Sequence, residues 1–132
     1  TKAYQDLSAI IDSAGLCIFF AVRNLASKDL SVAPVGILEY IYAATGAGYT
    51  LEELIKAGER IINAERIFLN RAGFTRSDDS LPKRLTEEPA PKGPAKGMVC
   101  HLPEMLEEYY QVQGWTKDGI PGEDVLDRLG LS

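Results

Sequence analysis

The sequence predicts an all-α protein: a compact multi-helix orthogonal domain with a proline-rich strap on its surface. Apolar residues recur at helical spacing through most of the 132 residues, and helix-capping residues bound these runs. Neither an internal repeat nor a sheet pattern is present. A chain of this length can bury one core, so we expect a single domain covering residues 1–132.

The first two helices are separated by a short polar break. The first is amphipathic, ends near Asp12, and has an apolar face made of Tyr4, Leu7, Ile10 and Ile11. The second begins after Gly15. Residues 16–22 are apolar on nearly every side of a helix, so we expect this segment to be wholly buried.

The third and fourth helices carry clear terminal signals. Pro34 lies near the start of the third helix and Gly46 just past its end. The fourth and longest runs from about Thr50 to about Gly73, with Thr50 and Glu53 spaced as a capping box. Its predicted apolar stripe consists of Leu51, Leu54, Ile55, Gly58, Ile61, Ile62, Phe68, Leu69 and Ala72.

Glu65 interrupts this stripe. A carboxylate that is buried alone costs several kcal/mol, so we expect Glu65 to have a cationic partner. The nearest candidates in the sequence are Arg60, Arg66 and Arg71.

The chain changes character after Phe74. Residues 75–97 are rich in charge and contain four prolines, so we expect an ordered or semi-extended surface strap in place of a helix. "MVCHL" is a candidate for a very short extended piece. Pro103 then opens a helix, Asp118 and Gly119 form a tight turn, and "GEDVLDRLG" is the last helix.

Composition excludes several classes of function. A net charge of -5 and a pI near 4.9 argue against nucleic-acid binding, which depends on lysine and arginine. The longest apolar run is far shorter than the roughly 20 residues of a membrane span, and no signal peptide is visible. Two cysteines do not make a disulfide framework, so we expect a reducing, cytoplasmic location. The chain begins on a helical pattern without a methionine, which suggests a piece of a longer protein.

The segment "DSAGLC", residues 12–17, has two interpretations. In the first, Asp12 or Ser13 caps the second helix, Gly15 relieves a tight corner and Cys17 is a small buried hydrophobe. In the second, Cys17 is a thiolate at a helix N-terminus and a soft-metal ligand. One cysteine cannot hold an iron–sulfur cluster by itself, so the other ligands would come from outside this chain.

Other candidate sites are weaker. Cys100 and His101 are adjacent, which is the wrong spacing for zinc, and no nucleophile or zinc-protease motif accompanies the single histidine. We therefore do not expect a self-contained hydrolase. The glycines of residues 46–48 follow a helix, so they are a helix stop and not a phosphate loop. The aromatic cluster, which we expect in a core or an interface, consists of Tyr109, Tyr110 and Trp115.

The whole chain resembles the C-terminal domain of the tungsten-containing aldehyde:ferredoxin oxidoreductases. The resemblance lies in "YQDLSAIIDSAGLCIF", "YTLEELIKAGERIINAERIFLNRAGFTRSDDSLPKRL", "GPAKG", "EMLEEYYQVQGW" and "LDRLGL". It implies an enzyme that interconverts an aldehyde and a carboxylic acid, with ferredoxin as electron partner. Its cofactors would be a bis-pterin tungsten (or molybdenum) centre and a [4Fe–4S] cluster.

The resemblance also assigns roles to residues of this chain. Asp12 and Leu16 would contact the pterin, Gly15 would let the backbone approach it closely, and Cys17 would ligate the cluster. The family's three other cluster cysteines, a second pterin segment and the acid/base residues lie upstream of the matched region. We therefore expect the isolated chain to be inactive, without cofactor and without catalytic residues of its own, and to need the remaining domains of the enzyme.

Two alternatives from other classes stay open. In the first alternative, the chain is a helical interaction or structural module that binds no cofactor, and Cys17 belongs to the core. Otherwise it is a redox-sensing thiol protein, which requires Cys17 and Cys100 to approach within disulfide reach.

Overall fold

The computed structural model describes residues 1–19 and 33–132. Within these ranges the regular structure is helical, and the only strand-like pairing is an isolated bridge between Trp115 and Pro121. The all-α prediction is thus confirmed. The helices are α1 (Lys2–Ser13), α2 (Ala33–Thr45), α3 (Leu51–Arg71), a 3₁₀ turn (Arg76–Asp78), α4 (Lys83–Thr86), α5 (Leu102–Gln113) and α6 (Glu123–Leu129).

The chain divides into two compact units. The first unit comprises Thr1–Glu65 and Leu126–Ser132, and the second unit comprises Arg66–Val125. No helix in the described part of the chain is both long enough and apolar enough to cross a membrane.

The core of the first unit lies between α1, α2 and α3. Its fully buried members are Leu7, Ile10, Ile11, Ile37 and Leu54, and Leu16, Leu38 and Ile41 pack against them. Tyr4, which was predicted on the buried face of α1, is 52% exposed, whereas the carboxylate residue Asp6 is buried.

A close contact between α1 and α3 explains why Asp6, and not Tyr4, lies on the buried face of α1. Gly58 of α3 lies directly against the backbone of Asp6, and a side-chain Cβ at Gly58 would overlap the Asp6 carbonyl oxygen. Only a glycine allows the two helices to come this close. The face of α1 that carries Asp6, Ile10 and their neighbours is therefore the buried one.

The start of α3 follows the prediction. The Glu53 carboxylate accepts the backbone N–H of Thr50 at 2.8 Å, and the Thr50 hydroxyl accepts the N–H of Glu53 at 3.2 Å. These reciprocal bonds form the capping box.

The predicted apolar stripe of α3 is wrong in part. Phe68 is 71% exposed, and Ile55 and Leu69 are exposed as well. Asn63 and Arg66 are buried instead. Both have polar partners, since the Asn63 side chain donates to the Glu59 carbonyl at 2.9 Å and Arg66 is bound by groups of the second unit. Apolar spacing does not reveal such partners.

Glu65 is exposed, so the expectation of a buried carboxylate that needs an arginine is wrong. The buried charge at this turn of α3 is Arg66, and its carboxylate partner is Asp79.

A network of four charged side chains holds the first unit together. The Lys2 ammonium lies 2.6 Å from the Asp6 carboxylate and 3.2 Å from that of Glu59. Glu59 also accepts two bonds from the Arg128 guanidinium, at 2.7 and 2.9 Å. The network therefore joins α1, α3 and α6.

Residues 75–97 form the strap, and most of them are exposed, as predicted. The strap is not wholly extended, because it contains the 3₁₀ turn Arg76–Asp78 and the single helical turn Lys83–Thr86. Its prolines lie outside these two turns. "MVCHL" forms no strand, although the Cys100 N–H donates to the Leu85 carbonyl at 2.8 Å.

Within the second unit, the ends of the helix α5 and the turn that follows it agree with the sequence prediction. Pro103 lies in the first turn of α5, and Gly114 ends that helix with φ +69°. In the predicted turn, the Gly119 N–H donates to the Thr116 carbonyl at 2.9 Å, with Gly119 at φ +74°.

The predicted buried second helix, residues 16–22, lies partly outside the described residues. Helical backbone begins at Ile18 and Phe19, but these side chains are 41% and 83% exposed. The expected burial is therefore wrong at these two positions. An apolar run shows that a surface avoids water, but not which polypeptide covers it.

Candidate functional site

The segment of residues 12–17 begins inside the last turn of α1. Asp12 and Ser13 are helical residues of α1, so neither caps a following helix. The Gly15 N–H donates to the Asp12 carbonyl and the Leu16 N–H to the Ile11 carbonyl, both at 3.0 Å. With Gly15 at φ +68°, this pair of bonds is a Schellman motif that ends α1.

Local capping accounts for part of the segment. Glycine is required at position 15 because the left-handed conformation strains other residues, and Leu16 packs back onto the first-unit core as the motif requires. Asp12 and Cys17 take no part in the two capping bonds through their side chains. They are therefore the residues that local structure leaves unexplained.

The side chains that the resemblance singled out face outward. Asp12, Gly15 and Cys17 are exposed and Leu16 is half-buried. A Cβ added at Gly15 would meet no atom within 4 Å, so the backbone there has open space in front of it. Cys17 directly precedes the helical residue Ile18, as expected for a thiol at the start of a helix.

These residues fit one part of a cofactor site. The exposed carboxylate of Asp12 can accept hydrogen bonds from a flat heterocycle, Gly15 leaves room for its approach, and Cys17 offers one soft ligand. No cluster of three or more histidine, cysteine or acidic side chains capable of holding a metal occurs in residues 1–19 or 33–132. A metal centre at this segment would need ligands from other parts of an enzyme.

A groove opens beside the segment in the first unit. It has a volume of about 830 Å³, and Ser13, Ala14 and Leu16 form one of its edges. A smaller cavity of about 540 Å³, also in the first unit, is lined by Asp12 and Glu65 among others. Sequence reasoning missed both, because each is formed by residues that are distant in the chain.

A polar cluster centred on Arg66 lies in the second unit. Arg66 donates two bonds to the Asp79 carboxylate, at 2.8 and 2.7 Å, and a third to the Gly119 carbonyl at 2.6 Å. The Tyr110 hydroxyl also donates to Asp79. Burial raises the pKa of Tyr110 to about 12, and the bond to Asp79 adds to the shift.

This cluster is structural. The Arg66 guanidinium lies 4.9 Å from the centre of the Trp115 ring, and the rings of Tyr109 and Trp115 meet edge to face at 5.5 Å. Tyr110 is only 3% exposed. The expectation of burial in a core is confirmed for Tyr110, whereas Tyr109 and Trp115 are half-buried.

Cys100 and His101 have local contacts in the second unit. The Cys100 thiol donates to the Met105 sulfur at 3.7 Å, His101 precedes α5 as its N-cap residue, and both Cys17 and Cys100 are free thiols.

Comparison with known proteins places the chain in a family. A sequence model described as "Aldehyde ferredoxin oxidoreductase, domains 2 & 3" matches residues 1–131. Tungsten-containing aldehyde ferredoxin oxidoreductases of Pyrococcus furiosus and Thermococcus kodakarensis are 45% and 44% identical to it over 98% of its length. An aliphatic sulfonate oxidoreductase, WOR-like subunit, of Pyrococcus furiosus is 33% identical over 95%.

In each of these relatives the matched region is only 20% of the protein. The chain thus corresponds to about a fifth of a much longer polypeptide. The matched region includes the whole of residues 12–17 and the strap of the second unit. The chain therefore belongs to the aldehyde ferredoxin oxidoreductase family.

Proposed function

We propose that this chain is the C-terminal helical part of a tungsten-pterin, iron–sulfur enzyme that oxidises aldehydes to carboxylic acids and passes the electrons to ferredoxin. The observation that carries the proposal is the outward-facing segment of residues 12–17 in a chain of this family. Its Asp12 and Cys17 side chains are exposed and take no part in the backbone bonds that end α1, and both are of types that bind a pterin or a metal.

In this proposal the pterin contact is made by the turn that ends α1. The Asp12 carboxylate accepts hydrogen bonds from donor groups of the heterocycle. Gly15 allows close approach, because no atom lies in front of it and its backbone is already in the left-handed conformation. Leu16 anchors the turn by packing on the core, so the contact is held on a rigid element.

Cys17 supplies one thiolate ligand of a [4Fe–4S] cluster. Such a cluster is held by four cysteines, so three come from the rest of the enzyme. Cys17 is exposed and directly precedes the helical residue Ile18, so its sulfur is accessible to a cluster from outside this chain. A cluster ligand adjoining the pterin contact would give electrons a short path away from the reacting centre.

The reaction consumes an aldehyde and water and yields a carboxylic acid, two electrons and two protons. A tungsten-pterin centre held by Asp12, Gly15 and Leu16 would supply two-electron redox chemistry, and a cluster ligated by Cys17 would supply one-electron transfer towards ferredoxin. This chain positions the cofactors through Asp12, Gly15, Leu16 and Cys17. It contributes no catalytic residue in this proposal, and we expect it to be inactive without the remaining domains.

The alternatives are less well supported. A structural module without cofactor predicts a buried Cys17, whereas this thiol is exposed. A redox-sensing pair requires Cys17 and Cys100 to approach within disulfide reach, and free thiols at both positions do not distinguish it from the proposal. Free thiols and an iron–sulfur cluster both suit a reducing compartment, so we propose a cytoplasmic location.

The ligand assignment is tested in the full-length enzyme that contains this sequence. We expect Cys17→Ser to remove most of the cluster iron and to lower aldehyde oxidation at least 100-fold, as measured by metal analysis and by steady-state kinetics. Cys100→Ser is the matched control, because Cys100 is a free thiol of the second unit and should retain both. Full iron content in the Cys17 variant would end the assignment.

The pterin contact is tested separately with Asp12→Ala. Since Asp12 is proposed to bind the pterin and not the cluster, we expect tungsten and pterin content to fall while most of the iron is kept. Equal loss of iron and tungsten in this variant would contradict the division of roles.

A further inference from the structure

The large groove of the first unit has the size and chemistry of a small-molecule site. Its volume of about 830 Å³ lies in the range of roughly 300–1,000 Å³ that is usual for such sites. Most of its wall is apolar or aromatic. The apolar and aromatic side chains that line it include Ile10, Leu16, Tyr40, Ile41, Tyr49 and Leu54.

The groove is continuous with the proposed cofactor segment. Ser13, Ala14 and Leu16 belong both to residues 12–17 and to the lining of the groove. A molecule that reacts at a cofactor held by Asp12 and Leu16 can therefore extend part of its structure into this space. The polar cavity that Asp12 lines in the same unit offers fewer apolar contacts.

Two tyrosines also line the groove. Tyr40 of α2 is 52% exposed and Tyr49, before α3, is 50% exposed. Aromatic side chains with an accessible face favour contacts with other rings and with branched hydrocarbon groups. Small side chains, Ala44 of α2 and Ala57 of α3, leave the space between them open.

We propose that this groove binds the organic group of the aldehyde and favours aromatic or branched aldehydes over small ones. The inference rests on the proposed function, and it adds that Tyr40, Ala44, Tyr49 and Ala57 are specificity-determining residues. Transfer of an apolar ring from water to such a wall is favourable, whereas acetaldehyde has too little surface to benefit.

Two adjacent alanines of α2 provide the test. Ala44 lines the groove and Ala43 does not, and both are exposed, so phenylalanine is tolerated structurally at either position. In the full-length holoenzyme we expect Ala44→Phe to lower the ratio of kcat/KM for benzaldehyde to that for acetaldehyde at least 10-fold, because it fills the groove. The matched control Ala43→Phe should leave the ratio within twofold of the parent.

A second measurement does not depend on turnover. Benzoate is the product of benzaldehyde oxidation, and we expect calorimetric titration to show at least 10-fold weaker benzoate binding to Ala44→Phe than to Ala43→Phe. An unchanged kcat/KM ratio and unchanged benzoate binding in an active enzyme would overturn the proposal. Loss of tungsten and iron in Ala44→Phe alone would also overturn it, since the groove would then be covered by another part of the enzyme.

These outcomes separate the groove from the cofactor assignment. If Cys17→Ser retains its iron, Cys17 is not a cluster ligand. That result does not affect the ratio of kcat/KM for benzaldehyde to that for acetaldehyde, which tests the groove. If the parent enzyme oxidises no aldehyde, the proposed function fails, and benzoate binding to the two alanine variants then decides whether the groove is a ligand site.

Discussion

Single ionisable residues set the acid sensitivity of the first unit. The bonds from Arg128 outweigh burial and, together with Lys2, lower the pKa of Glu59 to about 2. A carboxyl group whose folded pKa is depressed stabilises the fold above its unfolded pKa, near 4.5, and loses this contribution as the pH falls towards 2. Burial raises the pKa of Asp6, which has the opposite sign and partly offsets the loss.

We therefore expect the free energy of unfolding of the chain to fall between about pH 4.5 and pH 2, and Glu59→Gln to flatten that slope. At pH 7 the same variant should be less stable by roughly 1–3 kcal/mol, because Arg128 and Lys2 lose a charged partner. Urea titrations across this pH range measure both effects. An unchanged slope in the variant would show that other carboxylates dominate.

In the second unit, Asp79 is the carboxylate residue whose pKa is lowered by its partners. Burial opposes its ionisation, but the bonds from Arg66 and Tyr110 together hold its pKa below the ordinary value. Asp79→Asn leaves the buried Arg66 guanidinium without a carboxylate, so we expect a loss of about 2–4 kcal/mol at pH 7, measured by urea unfolding. Glu88→Gln, on the exposed strap, is the control and should change stability by less than about 0.5 kcal/mol.

Among the elements, the crossing of α1 and α3 depends on one glycine. Alanine is the better helix former by about 1 kcal/mol, so propensity alone predicts that Gly58→Ala is stabilising. The added methyl group would overlap the Asp6 carbonyl oxygen, which is backbone and cannot rotate away. We expect the free energy of unfolding to fall by about 2–4 kcal/mol, because forcing two packed helices apart destabilises the fold by more than the higher helix propensity of alanine stabilises it.

Gly48→Ala is the matched control for this change. A Cβ at Gly48 meets no atom within 4 Å, so thermal unfolding of that variant should be unchanged or slightly improved. If Gly58→Ala has the same melting temperature as Gly48→Ala, the close crossing is not a feature of the folded protein.

For the whole molecule, the exposed apolar surface of the first unit indicates that this chain works as part of a larger protein. Phe19 is 83% exposed, and Tyr42 is 63% exposed on α2. Large exposed apolar and aromatic side chains are typical of surfaces that another domain covers. This agrees with the relatives, in which the matched region is 20% of the protein.

We expect the isolated chain to purify colourless and without stoichiometric iron or tungsten, because one thiolate cannot retain a [4Fe–4S] cluster. Its Cys17 thiol should react with a thiol reagent faster than Cys100, which is partly buried and bonded to Met105. About four irons per chain, without ligands shared between copies, would contradict the first expectation. Faster labelling of Cys100 would contradict the second.

The sequence by itself determined the helical class and the ends of most described helices, and its resemblance to a family singled out the residues of the candidate site. Helix ends depend on neighbouring residues: Thr50 and Glu53 cap one another across three positions, and Gly46 and Gly114 end helices through their own backbone conformation. The D-S-A-G-L-C segment was identified by resemblance, since a cysteine beside an apolar run is more often core than ligand. Local bonding then explained Gly15 and Leu16 without reference to a cofactor.

Only the tertiary structure decided which polar residues are buried and where cavities open. Arg66 and Asp79 are 13 positions apart on different elements, and Gly58 meets Asp6 across two helices. Apolar periodicity assigns a helix one buried face. It contains no information on a distant partner that lowers the free energy of burying a charged side chain, or on a neighbouring backbone that leaves no space for a Cβ. For the same reason the groove beside Leu16 became visible only when α1, α2 and α3 were placed together.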